Sequence, residues 1–161
     1  MNKLYLLIGG NEGNKFSNLK QAATNIEKFC GEIVQQSSFY ETAAWGKLDQ
    51  PSFLNQALQI QTSLDASSAM KIFLQIEENM GRKRIEKYGS RIIDIDILFF
   101  NSEVINLPQL KIPHPEIPNR RFVLVPMDEI AQGFIHPELN KTIHQLLEEC
   151  TDQLSVKKII E

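Results

Sequence analysis

The amino-acid sequence predicts an α+β fold, in which an antiparallel sheet is packed against helices. Strand-like and helix-like segments follow one another in the order strand, helix, strand, strand, helix, strand, and both helical segments are amphipathic. The chain has 161 residues, of which 42% are hydrophobic and 23% charged, as in an ordinary globular domain. We therefore expect one domain over residues 1–161.

The first half of the predicted fold is a strand, a helix and a second strand. Leu4–Ile8 is a short apolar run that ends at two glycines, as expected for a buried strand. Apolar residues then recur at helical spacing over Phe16–Phe29, and Gly31 is a natural signal for the end of this helix. Ile33–Thr42 is rich in β-formers and is predicted to be the second strand.

The second half repeats this pattern. Phe53–Ser63 alternates in part between apolar and polar residues, which is typical of a strand. Asp65 or Ser67 can cap a second helix that reaches Met80. The apolar segment Ile92–Phe100 is predicted to be the last main strand.

Irregular connections and a C-terminal helix complete the predicted fold. Ala43–Ser52 contains Gly and Pro and is predicted to be a loop, and Leu107–Asn119, with four prolines, is predicted to be a long irregular connection. We expect a short strand at Phe122–Pro126 and a last helix at Thr142–Cys150. The order of the main elements is that of a ferredoxin-like sandwich.

The composition predicts a cytoplasmic protein without a membrane partner. No segment reaches the roughly 18 apolar residues of a membrane helix, and the apolar run Leu4–Ile8 is too short for a signal peptide. Cys30 and Cys150 match neither a zinc site nor a redox motif, as expected for reduced cytosolic cysteines. We expect a monomer.

A basic segment precedes the last main strand. Residues 82–91 hold five cations against one anion, Glu86, although the whole chain has a net charge of −3. Proteins that coat nucleic acid usually have a broad basic surface and a high pI, whereas the pI of this chain is about 5.7, so no nucleic-acid partner is expected. The local charge indicates a site for a discrete anion such as a polyphosphate, and a solvated loop is the alternative.

Two aspartates interrupt the apolar strand IIDIDILFF. Residues i and i+2 of a strand project to the same face, so Asp94 and Asp96 should lie side by side while the isoleucines around them face the core. Two adjacent carboxylates repel each other, and magnesium ions that also bind substrate phosphate oxygens would compensate their charge. The basic segment nearby favours such a polyphosphate site over the alternative, a solvated sheet face with incidental acids.

The common nucleotide-binding motifs are absent. GGNEGNK lacks the spacing of a P-loop, and no segment matches Gly-x-Gly-x-x-Gly, which argues against a P-loop kinase and a Rossmann dehydrogenase. His114 lies among prolines and close to Arg120 and Arg121, so it could contribute to an anion site, although such a histidine in isolation is more often structural.

Four segments carry a family resemblance. KYGSRIIDIDILFF, IPHPEIPNRRFVLVP, SSFYET and QPSFLNQAL are similar to segments of the 6-hydroxymethyl-7,8-dihydropterin pyrophosphokinases of folate biosynthesis, and the resemblance runs over most of the chain. It implies a one-step transfer of a pyrophosphoryl group from MgATP to the hydroxymethyl group of the pterin, with release of AMP. It also implies two Mg²⁺ ions and two small-molecule substrates, ATP and 6-hydroxymethyl-7,8-dihydropterin.

The resemblance implies roles for individual residues as well. Asp94 and Asp96 would bind both metal ions and would be catalytic together with Arg82 and Arg91. The nucleotide would be bound by Glu77, Arg82, Arg84, Tyr88, Arg91, Ile97, Lys111, His114 and Arg120. The pterin would be bound by Thr42, Ala43, Ala44, Trp45, Phe53, Asn55, Asp94 and Phe122.

The chemistry of three of these residues suits a pterin. Phe53 and Phe122 can stack on a flat heteroaromatic ring, although each phenylalanine in isolation is more often a core residue. Asn55 offers both a donor and an acceptor to the polar edge of the ring. The chain departs from the common family pattern at Ala-Ala-Trp after Thr42 and at Ser90, where many relatives carry prolines.

Two alternatives belong to other functional classes. A nucleotidyl transferase could use the same Asp-x-Asp pair, but it would attack the α-phosphorus and release pyrophosphate, and many such enzymes carry a Gly-Ser turn that is not found here. An RNA-binding ferredoxin-like module should show a strand with a Lys/Arg-Gly-Phe/Tyr motif, and this sequence has none.

Overall fold

The computed structural model describes residues 1–43, 50–81 and 91–160, and the predicted α+β architecture is confirmed. Its elements are β1 (Asn2–Gly10), α1 (Lys15–Phe29), β2 (Glu32–Gln36), β3 (Phe39–Thr42), β4 (Phe53–Thr62), α2 (Ala66–Asn79), β5 (Asp94–Phe100), β6 (Ile105–Leu107), β7 (Leu110–Ile112), a 3₁₀ turn (Ile117–Asn119), α3 (Arg121–Ala131), α4 (Ile143–Glu149) and β8 (Val156–Ile159). Within the described ranges, no helix is both long enough and apolar enough to cross a membrane.

The main sheet is antiparallel and has the strand order of a ferredoxin-like sandwich. Its path is β5-β1-β4-β3-β8, and β2 pairs with β4 beside β3. The predicted second strand, Ile33–Thr42, is therefore split into β2 and β3. The split lies at Ser37, where the hydroxyl oxygen accepts the backbone N–H of Ala57 at 2.9 Å in place of a ladder bond.

Side-chain caps start the two long helices. The side chain of Asn14 accepts the backbone N–H of Ser17 at the start of α1, and Asp65 accepts that of Ser68 at the start of α2. The predicted cap at Asp65 is thus correct, and the alternative at Ser67 is not used. The predicted apolar face of α1 ends early, because Phe29 is 54% exposed.

The sheet has a hydrophobic core on each face. Alternate residues of β1, Leu4, Leu6 and Ile8, pack with α1 and α2 on one face. The intervening residues Tyr5 and Leu7 pack with α3 and α4 on the other face. Because side chains alternate along a strand, one strand supplies both cores, and the molecule has three layers.

The predicted strand at Phe122–Pro126 is wrong. These residues belong to α3, which runs from Arg121 to Ala131 with Pro126 inside it. The short apolar run FVLVP fits a strand and a buried helix equally well by periodicity alone. Packing decides the outcome, because Val123, Leu124 and Met127 are all buried against the sheet, at the helical spacing i, i+1 and i+4.

Two further features differ from the sequence prediction. The connection Leu107–Asn119 is partly regular, because β6 and β7 form a small hairpin and a 3₁₀ turn follows it. The last strand, β8, was not predicted; it pairs with β3 over Val156–Ile159, so its stability depends on a partner more than 110 positions away in the chain. The bond between Ile112 and Pro113 is cis.

The first testable prediction concerns Glu129, which bonds α3 to the junction between β2 and β3. Its carboxylate accepts the hydroxyl of Tyr40 at 2.5 Å and the backbone N–H of Ser38 at 3.0 Å. Tyr40 is only 6% exposed, so Glu129→Ala leaves a buried hydroxyl without an acceptor. We expect the free energy of unfolding to fall by about 1–3 kcal/mol, as measured by urea denaturation.

Two controls make this prediction specific. Adding Tyr40→Phe to Glu129→Ala removes both partners and should restore part of the loss, whereas Glu148→Ala on α4 should change stability by less than about 0.5 kcal/mol. Equal stabilities of wild type and Glu129→Ala would contradict the assignment.

Candidate functional site

A polar cleft opens on the face of the sheet that α3 and α4 cover only in part. The helices pack over Tyr5, Leu7 and Phe99, whereas the neighbouring end of the same face carries a glycine of β1 and polar residues of β4 and β5. The described residues enclose a cleft of about 540 Å³ there. This volume is in the range of small-molecule sites.

A row of residues across three strands forms the floor of the cleft. Asp94 of β5 lies opposite Gly9 of β1, and Gly9 lies opposite Asn55 of β4. A Cβ atom on Gly9 would lie 2.1 Å from Oδ1 of Asn55, so only glycine leaves room for the amide at this place. The glycine that ends the predicted strand thus has a second role, because it lets the side chain of Asn55 lie over β1.

One end of the cleft presents buried polar atoms that lack protein partners. Asn55 is 4% exposed and Thr42 is 3% exposed. Within the described part of the chain, neither the amide nitrogen of Asn55 nor the hydroxyl oxygen of Thr42 makes a hydrogen bond. Buried polar groups are nearly always paired, so these two atoms indicate a ligand with complementary donors and acceptors.

Aromatic side chains flank this end. Phe53 lies at the start of β4 and Phe122 in the first turn of α3, and both line the cleft. The guanidinium carbon of Arg120 lies 5.7 Å from the centroid of the Phe122 ring, within cation–π range. The arrangement can hold a flat ring whose edge is read by the polar atoms of Asn55 and Thr42.

The other end of the cleft is charged. Asp94 and Asp96 both line it, as the alternation of β5 predicts. The isoleucines at 93, 95 and 97 belong to the core on the opposite face, and Ile95 and Ile97 also border the cleft at the edge of the sheet. Nε of Arg91 lies 3.2 Å from Oδ2 of Asp94, so a cation already compensates one of the two acids. Both carboxylates are partly exposed and can accept further ligands.

The buried Asn11 holds Arg91 in place through its backbone. Asn11 is 2% exposed; its Oδ1 accepts the backbone N–H of Arg91 at 2.8 Å, and its own N–H donates to the carbonyl of Arg91 at 2.9 Å. Its amide nitrogen donates to Gln50 and to the carbonyl of Pro51 at 3.2 and 3.1 Å. One side chain thus connects the segment at Gln50 and Pro51 with the segment at Arg91.

His114 contributes a neutral ring to the cleft wall. Its Nδ1 accepts the backbone N–H of Glu116 at 3.2 Å, so the proton of the neutral ring lies on Nε2. Burial, together with the nearby charge of Arg120, lowers the pKa of His114 below its usual value. The ring therefore offers a neutral Nε2–H donor at physiological pH. Its backbone N–H also pairs with the carbonyl of Leu98 at the outer edge of β5.

Two more predicted residues reach the cleft from different elements. The ammonium group of Lys111 in β7 donates a hydrogen bond to Oδ1 of Asn106 in β6, and Lys111 lines the cleft. Glu77 of α2 is 4% exposed, and its Oε2 accepts the backbone N–H of Ile95 at 2.6 Å. Lys111 adds a cation to the wall, while Glu77 contacts the strand that carries the two aspartates.

The structure brings the described members of the predicted site together. Thirteen of them line the cleft: Thr42, Ala43, Phe53, Asn55, Glu77, Arg91, Asp94, Asp96, Ile97, Lys111, His114, Arg120 and Phe122. The remaining five, Ala44, Trp45, Arg82, Arg84 and Tyr88, and the departure at Ser90 lie outside the described residues. The roles of all these residues stay predictions.

Several lining residues were not predicted. Gly9, Met70, Leu74 and Gln109 also border the cleft. Gly9 could have been found from its place at the end of a strand, since glycine in a strand often marks a close approach. Met70 and Leu74 share one face of α2 and carry no chemical signal beyond apolarity.

Comparison with known proteins identifies the family. The profile of the 7,8-dihydro-6-hydroxymethylpterin-pyrophosphokinase (HPPK) family matches residues 5–132. The 2-amino-4-hydroxy-6-hydroxymethyldihydropteridine pyrophosphokinase of Aquifex aeolicus is 38% identical over 94% of this chain and 94% of its own length. That of Bacillus subtilis is 41% identical over 81% of this chain and 79% of its own length. The chain belongs to the HPPK family.

Some relatives are much longer than this chain. The folic acid synthesis protein of Dictyostelium discoideum is 40% identical over 90% of the chain, which spans 22% of that protein. A crystal structure of Plasmodium falciparum HPPK-DHPS with pteroate superposes with a TM-score of 0.76 at 21% identity, covering 92% of this chain and 42% of that one. This likeness shows a shared fold.

The second testable prediction uses the opposite pKa shifts of two histidines. The pKa of His114 is lowered, so the unfolded state binds this proton more tightly, and stability is lost as the pH falls below about 6.5. In His114→Asn, the amide oxygen takes the place of Nδ1 as the acceptor, and the new side chain does not titrate. We expect this variant to lose less stability than wild type between pH 7 and pH 5, as measured by chemical denaturation at each pH.

His144 supplies the matched control. Asp128, which lies 2.9 Å from its Nδ1, raises the pKa of His144. This contribution to stability is present below about pH 6.5 and is lost as the pH rises through the folded pKa. His144→Asn should therefore lose more stability than wild type on acidification. The same pH response in both variants would refute the assigned protonation states.

Proposed function

We propose that this cleft transfers a pyrophosphoryl group from MgATP to the hydroxymethyl group of 6-hydroxymethyl-7,8-dihydropterin, a reaction of folate biosynthesis. The hydroxyl oxygen attacks the β-phosphorus, the bond between that phosphorus and the α-phosphate oxygen breaks, and AMP leaves while the hydroxyl proton is lost. The observation that carries the proposal is the junction, in one cleft, of a neutral ring pocket with a centre of two acids and an arginine.

The pterin ring would occupy the neutral end. Its pyrimidine edge carries both N–H donors and acceptors, which match the amide of Asn55 and the hydroxyl of Thr42. Both groups are buried, and satisfying them on binding removes the cost of an unpaired polar atom. Phe53 and Phe122 would cover the faces of the ring. This geometry selects a planar ligand with a polar edge.

Asp94 and Asp96 would hold magnesium. The donor set fits this ion, because Mg²⁺ is usually bound by one or two carboxylates together with water and substrate phosphate oxygens. When bound, Mg²⁺ withdraws charge from the phosphate oxygens it contacts. Both carboxylates line the cleft on one face of β5, where they can share the metal–phosphate unit. We propose two Mg²⁺ ions. One ion would balance the two negative charges of Asp94 and Asp96, and the second would balance charge on the phosphates.

Cations and a neutral donor would also bind the phosphates. Arg91 and Arg120 carry planar forks of N–H donors that suit phosphate oxygens. His114 would add its Nε2–H, and Lys111 a mobile ammonium group. In a cleft that limits water access, such donors stabilise charge that develops during transfer. We propose the same binding roles for Arg82, Arg84 and Tyr88, and a pterin contact for Ala44 and Trp45.

The remaining features of the proposal concern the setting of the reaction. Ile97 and Glu77 would border the nucleotide, as the family resemblance implies, and Ala43 would border the pterin. We further propose that residues 1–161 act as one domain, as a monomer and in the cytoplasm.

The nucleotide product tests the reaction class. Incubation with ATP, Mg²⁺ and 6-hydroxymethyl-7,8-dihydropterin should yield AMP and the pterin diphosphate in equal amounts. Release of inorganic pyrophosphate would instead show attack at the α-phosphorus, as in a nucleotidyl transferase. Release of ADP would show transfer of a single phosphoryl group.

The third testable prediction removes the acids. Asp94→Ala and Asp96→Ala should each lower turnover by about 10²-fold or more, the scale of a lost transition-state contact. Fold stability should change far less, because both side chains are partly exposed at the cleft. Glu103→Ala, an exposed acid beyond the end of β5, is the control and should keep wild-type turnover. Near-normal activity of either aspartate variant at ordinary magnesium concentrations would refute the metal site.

The fourth testable prediction separates the two substrates through Gly9. In Gly9→Ala the new methyl group displaces the amide of Asn55, so pterin affinity should fall by about 10- to 100-fold, the equivalent of one or two lost hydrogen bonds. Affinity for the magnesium complex of α,β-methylene ATP should stay within a few-fold of wild type. Titration calorimetry measures both.

Gly133→Ala is the matched control, because a Cβ there meets no atom within 4 Å. It should bind both ligands like wild type. Wild-type pterin affinity in Gly9→Ala would show that Asn55 does not read the ring edge.

A further inference from the structure

One carboxylate oxygen of Glu77 bonds to the protein's own backbone. Glu77 lies in the last turn of α2, on the face of the sheet opposite the two aspartates, and it is 4% exposed. Its Oε2 accepts the backbone N–H of Ile95 at 2.6 Å. Hydrogen bonds to an ionised acceptor are short and roughly twice as strong as neutral ones. The end of α2 is thus bonded to the peptide group between Asp94 and Ile95.

That peptide group lies in an edge strand. β5 pairs with β1 on one side and ends the sheet on the other. An outward N–H of an edge strand normally bonds to water, whereas the N–H of Ile95 is buried and needs a partner within the protein. Glu77 supplies this partner. Further along the same edge, the backbone N–H of His114 pairs with the carbonyl of Leu98.

The bonded residue stands between the two acids of the cleft. The N–H of Ile95 belongs to the peptide that links it to Asp94, so rotation of this peptide would change the direction of the Asp94 side chain. Asp96 follows directly and lies opposite Leu7, in a part of β5 where the core fixes Ile95 and Ile97. The hydrogen bond to this N–H therefore restrains the peptide group that lies between the two carboxylates.

We propose that Glu77 is a positioning residue, which acts through the backbone of Ile95 to hold Asp94 and Asp96 in the geometry that binds the magnesium–triphosphate unit. This role is additional to the place beside the nucleotide that the family resemblance implies for Glu77. The inference rests on the proposed function for the identity of that unit. Partners that orient metal ligands in this way typically change metal affinity or activity by about 10- to 100-fold when they are removed.

The chain offers a matched control for this role. Oε2 of Glu27 on α1 accepts the backbone N–H of Ile33 in β2 at 3.1 Å, in an exposed place away from the cleft. Both glutamates therefore bond a helix to a strand N–H, but only Glu77 bonds to the strand of the acids. Glu27→Ala should alter stability at most and leave magnesium and nucleotide binding unchanged.

The experiment compares Glu77→Ala, Glu77→Gln and Glu27→Ala in three measurements. The first is the Mg²⁺ concentration needed for half-maximal binding of α,β-methylene ATP, in which carbon replaces the oxygen of the bond that transfer breaks. The second is hydrogen exchange of the Ile95 amide, and the third is the melting temperature. We expect Glu77→Ala to raise the Mg²⁺ requirement about 10-fold or more and to expose the Ile95 amide. Glu77→Gln keeps an accepting oxygen and should recover most of both losses.

Two results would overturn the inference. One is a lower melting temperature in Glu77→Ala with an unchanged Mg²⁺ requirement, which would make the contact merely structural. The other is an equal loss in Glu77→Gln with the Ile95 amide still protected, which would assign the effect to charge. If Glu77→Ala does not fold, Glu77→Gln is compared with wild type in the same measurements. A higher Mg²⁺ requirement with a protected Ile95 amide would again overturn the inference. Because no measurement uses the pterin, a wild-type protein that releases no AMP would contradict the reaction without contradicting this result.

Discussion

The register of β1 between β5 and β4 is the constraint on which the cleft depends. Gly9 lies opposite Asp94 on one side and opposite Asn55 on the other, so three strands place an acid, a gap and an amide in one row. A shift of either pairing by one residue would turn the acid or the amide to the opposite face, into the core formed with α1 and α2. The alternating apolar residues of β1 prevent such a shift, because Leu4, Leu6 and Ile8 are fully buried there.

The same end of β1 also organises the chain segments on either side of the cleft. A Cβ on Gly10 would lie 2.3 Å from the carbonyl oxygen of Ile92, so glycine lets the start of the β5 segment approach closely. Asn11 then bonds the backbone of Arg91 and the segment at Gln50 and Pro51. Three successive residues thus have three roles. Gly9 leaves room for the side chain of Asn55, Gly10 lets the backbone at Ile92 approach, and Asn11 bonds two chain segments to each other. Their chemistry is simple, and their effect comes from position.

The sequence predicted the features that depend on local pattern and missed those that depend on distant partners. Partial alternation identified β4, an apolar run identified β5, and the two-residue period of a strand predicted the shared face of Asp94 and Asp96. The apolar run at Phe122 was misassigned, because its helical state is decided by burial against the sheet, and β8 was missed because its pairing partner is far away in the chain. Family resemblance brought together residues that lie on six different elements, a set that no spacing rule would connect.

The roles of Asn11 and Glu77 could not be derived from sequence for the same reason. Asn11 and Arg91 are 80 positions apart, and the bond from Ile95 to Glu77 joins a strand to a helix on the opposite face of the sheet. A carboxylate late in an amphipathic helix normally indicates a solvated position. Only the fold shows that this one is buried and bonded to the backbone between two metal-binding candidates.

Sheet geometry also explains how one cleft can serve two chemically different substrates. Neighbouring strands lie about 4.8 Å apart, so Asn55 and Asp94, which are two strands apart, are separated by about 10 Å at the backbone. In the proposed reaction, a bicyclic ring held at its polar edge by Asn55 would extend along this direction, and a one-carbon arm on its far side would point toward the acids. The neutral atoms of Asn55 and Thr42 would remain with the ring, whereas Asp94, Asp96 and Arg91, which line the other end of the cleft, would lie near the end of the arm. The spacing of the strands thereby sets the distance between the group that recognises the ring and the charges that would meet the phosphates.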